Sequence, residues 1–363
     1  MSSSIHGRNA PASVAVNEVL EFRKAYRAFD LHVPVGAISF GEDDGGNADN
    51  DSSHLMLVKP RVSGGKERVL RISGSGTRSL SNVLGVPYQL LSRLACSTVR
   101  AVFEDLLESK FRDPKRFVTL RCLNSPDGQE VLRAVTTNRK KILDDPDIFL
   151  PILRVLLDRF EAKDYWADDF NTAIRLVENI DSEYLGVTYR LGFDVVNTEV
   201  RESGTEVKGL VSFKTDHGWF DALIPRRLNP GLVSITTSAA LVSEVRKLIS
   251  RMENPEDRDR SVSFLQKWLV PGDVLLGREL RVFADRKMVR QADIVPIILG
   301  VQPDMNEAEL KSMEPEEVTE YVSDVRTSRF DLVRAIGEYA AADKDFDSYF
   351  RRASLELIAN TKV

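Results

Sequence analysis

The sequence predicts an α+β fold, an antiparallel-rich sheet with packed helices followed by a helical C-terminal part. Three observations carry that expectation. Segments at 117–124, 130–138, 185–200 and 205–216 alternate in the period of two that a half-buried strand requires. Two of their joins, Ser125-Pro126-Asp127-Gly128 and Glu202-Ser203-Gly204, have the composition of tight turns. Beyond about residue 237 the apolar spacing becomes helical instead. The division this suggests is residues 1–58, an α+β core over 59–240, and a helical region over 241–363.

Taken in order, residues 17–29 read as a helix, with Asn17 as N-cap and Val19, Leu20, Tyr26 and Phe29 on one stripe. Residues 41–53 (GEDDGGNADNDSS) are acidic and have almost nothing apolar to bury, so they read as a loop. A strand at 55–59 turns near Gly64-Gly65 and returns over Arg68–Ser73. Gly74-Ser75-Gly76 leads into a helix Thr77–Leu84, stopped by Gly85 and restarted after Pro87 toward Phe111. On that second helix Leu90, Leu91, Leu94, Val99 and Val102 are expected on the buried side. The hairpin 117–138 and the apolar helix 148–160 follow. The strands 174–179, 185–200 and 205–216 come next, then helices at 238–252, 306–325 and 330–359.

Charge is unevenly placed along the chain. Residues 59–141 hold 17 Lys/Arg against 7 Asp/Glu, an excess of +10 in a protein of net charge −5. Gathered on one face, those cations would make a field for a polyanion. Two cysteines, Cys96 and Cys122, are too few for a disulfide framework. No run approaches the roughly 18 apolar residues of a membrane span. Residues 1–10 are polar, without the apolar stretch of a secretory signal. The expectation is a reduced, cytoplasmic protein with no membrane partner.

Several segments resemble a phage- and plasmid-associated family described as a domain of unknown function. They are LSNVLGVPYQLLSRL (80–94), similar to that family's helix–Gly-x-Pro–helix signature, and residues 117–149, similar to its strand–turn–strand block ending in a basic loop and an Asp. Residues 191–213 resemble its strand with an Asn-Ser-Glu element, here Asn197-Thr198-Glu199, and FDLVRAIGEYA (330–340) resembles its C-terminal helix. The family's Cys-Asn-Gly element has no counterpart; only Asp216-His217-Gly218 and Leu228-Asn229-Pro230-Gly231 stand there. The resemblance implies a mobile-element protein of the bacterial host cytoplasm. The order of strands and helix around 117–213 is also loosely similar to phage single-strand annealing proteins.

The leading functional expectation is a non-enzymatic nucleic-acid binder of phage or plasmid DNA metabolism, with DNA ahead of RNA. It would hold the phosphate backbone through Lys115, Arg116, Arg121, Arg133, Arg139, Lys140 and Lys141, with Arg68 and Arg71 as a neighbouring row. Alternation places Arg133 and Arg139 on one face with Val131 and Val135. The same cations would also suit a salt-bridged face neutralised by the acidic stretch 142–230. Stacking candidates nearby are Phe111, Phe117, Tyr88 and Phe149.

Other chemistry is thinner. Gly74-Ser75-Gly76-Thr77 lacks the further residues of a phosphate-binding loop and reads as a strand-to-helix turn capped by Thr77. Asp194 with Glu206 and Lys208 has the residue types of a metal-dependent nuclease, and Mg²⁺ is the cofactor only on that alternative; otherwise none is expected. His217 beside Asp216 lacks a nucleophile at a recognisable spacing, and four histidines make zinc improbable. A third reading is a protein–protein module, a virion component or an inhibitor of a host system. Mixed charge on the C-terminal helices suggests homo-oligomer contacts.

Overall fold

The first strand of the fold is one whose sequence shows no alternation. The structure is a computed structural model, and it describes residues 4–42, 56–60, 68–91, 93–110, 117–126, 128–136, 143–156, 159–168, 171–198, 205–216, 218–224, 237–285 and 291–342. Strand β1 (Ile5–Pro11) is followed directly by helix α1 (Ala12–Ala25). The helix begins at Ala12, not at Asn17. Ala12, Ala15, Val16, Val19 and Leu20 are all buried, one stripe at helical spacing, and Asn17 lies on the exposed side. It ends at Ala25, so Phe29 belongs to β2 (Arg27–Pro34). Then come β3 (Ile38–Glu42), β4 (Met56–Pro60) and the short β5 (Leu70–Ile72). The expected acidic loop falls, apart from its first two residues, outside the described residues.

Helix α2 (Gly74–Leu84) starts three residues before the expected Thr77, because Ser73 is its cap and accepts from the Gly76 N–H at 3.0 Å. Thr77 instead donates to the Ser73 carbonyl. The expected long helix after Pro87 is broken into α3 (Tyr88–Leu91) and α4 (Cys96–Lys110). Strands β6 (Phe117–Asn124) and β7 (Glu130–Thr136) form the expected hairpin, closed by Ser125 and by Gly128 at φ 80°. These strands make a six-stranded sheet in the order β2-β6-β7-β5-β4-β3, antiparallel except for the β5–β7 pair. Helices α2 and α4 cover one face of it, over a core that includes Leu80, Leu84, Phe103, Leu120 and Leu132.

Helix α5 (Asp145–Leu156) leads into β8 (Phe160–Ala167), β9 (Asn171–Glu178), β10 (Ser182–Tyr184), β11 (Val187–Thr198), β12 (Thr205–Thr215) and β13 (Gly218–Leu223). They form a second, seven-stranded antiparallel sheet in the order β1-β8-β9-β11-β12-β13, with β10 on β11. The first strand of the chain is thus an edge of the second sheet. The whole first sheet is an insertion between α1 and α5, so a boundary near residue 58 has no structural counterpart. The largest core lies between the second sheet and α1, α5, α6 (Ser238–Glu253), α7 (Pro255–Val262) and α8 (Leu265–Trp268).

The helical C-terminal part is as expected. A two-residue pairing of β14 (Val274–Leu275) with β15 (Arg326–Thr327) frames α9 (Leu276–Asp285), α10 (Ile294–Val301), α11 (Glu307–Ser312) and α12 (Pro315–Tyr321), and α13 (Arg329–Ala342) follows. These helices share a third core, and α13 packs on both α10 and β13. Among the described residues no helix is long and apolar enough to cross a membrane.

Candidate nucleic-acid interface

Of the nine basic residues expected to hold phosphate, four lie among the described residues, and two of those face inward. Arg121 is 2% exposed and donates to Asp30 at 3.1 Å and to Asp144. Arg133 is fully buried. Its alternation argument fails because the hairpin register slips: Arg121 opposes Ala134 and Cys122 opposes Leu132, which leaves Arg133 as the extra residue of a bulge. Residues 132–135 are all buried, so both faces of β7 are covered. Burying a guanidinium in this way is tolerable only with fixed partners, and a residue so engaged cannot reach a phosphate. Arg68 is half-buried, lies over the Phe29 ring at 4.7 Å and is held by Glu130. Arg71 bonds Gln129 Oε1 at 2.9 Å. Lys115, Arg116, Arg139, Lys140 and Lys141 lie outside the described residues.

The stacking candidates divide similarly. Phe149 is core at 1% exposure, Phe117 is 43% exposed and stacked on His32 at 4.8 Å, and Phe111 lies outside the described residues. Tyr88 sits beneath Arg78, whose guanidinium is 4.9 Å from the ring centroid.

That last pair belongs to a surface the sequence reading passed over. Residues 68–103 contain no Asp or Glu at all, while Arg68, Arg71, Arg78, Arg93 and Arg100 fall within them. Arg100 reaches forward to Glu104 at 3.9 Å. Arg78 and Arg93 are exposed, and among the described residues neither has a carboxylate partner. Between them stand exposed Gln89 and Leu90, the latter 55% exposed although its spacing predicted burial. The break between α3 and α4 turns Leu90 outward while Leu91 stays at 2%. The signal available in the sequence was the absence of acids, which a net-charge count over 83 residues averages away.

The Gly74-Ser75-Gly76 turn is not an anion cradle. β5 pairs with β7 only at Arg71 and Ile72, so beyond Leu132 the edge of β7 would lie open. α2 closes it with side chains: Ser73 Oγ donates to Leu132 O, Ser75 Oγ to Arg133 O and Ser79 Oγ to Val135 O, each at 2.9 Å. Ser79 also accepts the Val135 N–H at 2.9 Å. Gly76 is required there, since a Cβ would collide with the Leu132 carbonyl.

The members of the nuclease trio are likewise engaged in ion pairs. On the second sheet Arg8, Asp164, Arg175, Asp194 and Lys208 oppose one another in register across five strands, alternating in sign. Arg175 donates Nε to Asp194 at 2.9 Å and Nη1 to Asp221 at 3.2 Å, and these carboxylates raise its pKa against the burial that lowers it. Lys208 pairs with Glu206 at 2.7 Å. A cation at Asp194 would first have to displace the guanidinium, and no group of His, Cys, Asp or Glu with metal-holding geometry occurs among the described residues. His217 lies outside them.

Two resemblance segments meet in the interior. Asp145, wholly buried, accepts from Arg23 Nε at 2.5 Å and Asn197 Nδ2 at 2.6 Å, and also from Thr172; Thr205 completes the chain on Asn197 at 3.1 Å. Every member is at most 5% exposed, which suits a fixed joint and excludes substrate access. On the C-terminal helices Arg334 is paired within its own helix to Asp331 and Glu338. Comparison with family models, with curated proteins and with solved structures finds no match to this chain.

Proposed function

We propose that the protein binds nucleic acid by its phosphate backbone through the acid-free face of α2 and α3, with Arg78 and Arg93 as the contacting cations. The observation that supports this is their exposure without a carboxylate partner among the described residues, in a stretch where no acid falls between residues 68 and 103. Elsewhere in the basic region Arg121 is spent on Asp30 and Asp144, Arg68 on Glu130 and Arg100 on Glu104, Arg71 bonds Gln129, and Arg133 is buried. A role in phage or plasmid DNA metabolism is part of the proposal and rests on the resemblance of 80–94, 117–149, 191–213 and 330–340.

A mobility-shift titration across a salt series tests it. Binding that neutralises phosphates releases counterions, so log affinity falls linearly with log salt, by about 0.9 per phosphate on a duplex. Arg78→Ala with Arg93→Ala flattens that slope by roughly 2, whereas Lys247→Ala on α6 leaves it unchanged. Binding without a salt slope, or a slope indifferent to the double substitution, overturns the assignment.

A further inference from the structure

Going beyond the phosphate reading, we infer that two copies of this chain join edge to edge through β2, antiparallel, with Leu31 on the two-fold axis. A sheet edge leaves backbone N–H and C=O groups without partners, and folds ordinarily blunt it with a short strand, an irregularity, Pro or a cover. Of the four strands that end the two large sheets, three are blunted. β1 is interrupted at Asn9 (φ 49°) and closes with Pro11. β3 has five residues and α4 packed on it, and β13 has α13 packed on it. β2 differs: it is eight residues long and pairs with β6 at every one of them without a slip. Among the described residues no strand pairs with its outer side. Successive residues of a strand send their N–H and C=O to opposite sides, so every second residue of β2 offers both groups outward.

The sequence of β2 suits a second copy of itself. A two-fold axis normal to the sheet sets residues of one face opposite residues of the same face, so it passes through one residue of each strand. Two centres give the longest overlap, Asp30 over residues 27–33 and Leu31 over residues 28–34. Centred on Asp30, the two carboxylates oppose each other, which destabilises the pairing. Centred on Leu31, Phe29 meets Val33 on one face and Asp30 meets His32 on the other, and symmetry makes each pairing twice.

Both faces have something left to offer. Phe29, Leu31 and Val33 belong to the core under α2 and α4, yet only Val33 is buried, at 1% exposure. Phe29 and Leu31 are half-buried, and a strand laid beside them extends their cover. On the opposite face the Asp30 side chain holds Arg121 and is still 42% exposed. His32 is exposed and uses Nδ1 on Thr119 Oγ1 at 3.2 Å, which leaves Nε2 for a carboxylate. In such a dimer the two six-stranded sheets run on as one, with α2 of both copies on the same side. Arg78 and Arg93 of both copies then give a polyphosphate chain two sites to span.

Sedimentation velocity of the full chain over a range of concentrations tests the inference, and a dimer is the expected species. His32→Asp, at an exposed position, sets a carboxylate opposite Asp30 twice and raises the dimer dissociation constant at least about tenfold. His32→Lys keeps opposite charges face to face and leaves the dimer intact. Leu31→Cys reports the register. Residues paired on the axis lie within disulfide range, so mild oxidation links two Leu31→Cys chains, whereas Arg27→Cys chains, offset along the strand, stay unlinked. A monomer at every concentration overturns the inference. So does a dimer that His32→Asp leaves as tight as before, or one whose Leu31→Cys form crosslinks no more than Arg27→Cys. If circular dichroism shows His32→Asp to be misfolded, the Leu31→Cys crosslink alone decides. The phosphate reading is untouched by any of these outcomes, since the salt series judges it separately.

Discussion

Arg121 and Arg133 show at single-residue scale where sequence reasoning breaks. Basic residues on a strand that alternates well were expected to face water, and both lie inside. Nothing in LRCLNSPDGQEVLRAV marks the slip at Arg133 or the two acids, Asp30 and Asp144, that close on Arg121 from distant parts of the chain. Alternation reports which residues share a face; it does not report whether the second face is covered. Cys122, on β6 within the same hairpin, gives a measurable consequence. It is fully buried, and burial pushes its thiol up to about 12. The thiolate is therefore the form the native state rejects. Native protein at pH 8 leaves Cys122 unalkylated by iodoacetamide, and denaturant exposes it, as peptide mass mapping checks. The sign for stability follows: the unfolded thiol ionises near 9 and the folded one near 12. Its contribution is complete below pH 9 and is lost as pH rises from 9 through 12. A denaturation midpoint that rises over that range would contradict the assignment.

At the scale of elements, most strands and helices were legible because their apolar residues recur at the period of the element. β6, β12 and α6 fall where the spacing places them, and the α+β order with a helical end follows from them. β1 was not legible, since its sequence IHGRNAP has no apolar face and its position is set by pairing with β8, more than 150 residues away. The N-terminus of α2 was legible in composition and misread in role. Ser73, Ser75 and Ser79 do the work of a missing strand by satisfying carbonyls on the open edge of β7. A side-chain hydroxyl that both donates to the carbonyl and accepts from the N–H of one residue, as Ser79 does at Val135, is not replaceable by a methyl. Ser79→Ala destabilises by about 1–2 kcal/mol because the β7 groups are left without a partner. Ser73→Ala costs about 1 kcal/mol through its lost cap. Urea titration measures both. A neutral Ser79→Ala would show that β7 is closed by something other than α2.

For the whole molecule, the insertion of the first sheet between α1 and α5 makes the neck between them the place where the two sheets are joined. Two adjacent aspartates hold it. Asp144 grips Arg121 of the first sheet, while Asp145 binds Arg23 at the end of α1 together with Thr172 and Asn197 of the second. The sequence contained both residues and the Asn197 element, but only the fold shows that they converge. Removing Asp145 strands Arg23, 5% exposed, without its charge partner, so Asp145→Ala costs about 3–5 kcal/mol. Arg23→Ala combined with it costs less than the sum of the two, by about 1–3 kcal/mol. The three tryptophans, Trp166, Trp219 and Trp268, all lie outside the inserted sheet, which makes the coupling visible. Tryptophan fluorescence follows only the body of the second sheet, whereas far-UV circular dichroism follows both. Coincident urea curves for the two signals are expected of the native chain, because cooperative unfolding requires the neck to transmit it. With Asp144→Ala and Asp145→Ala together the curves separate. Native curves that already diverge would mean that the inserted sheet unfolds on its own, and the tandem aspartates would then be local anchors with no part in joining the halves.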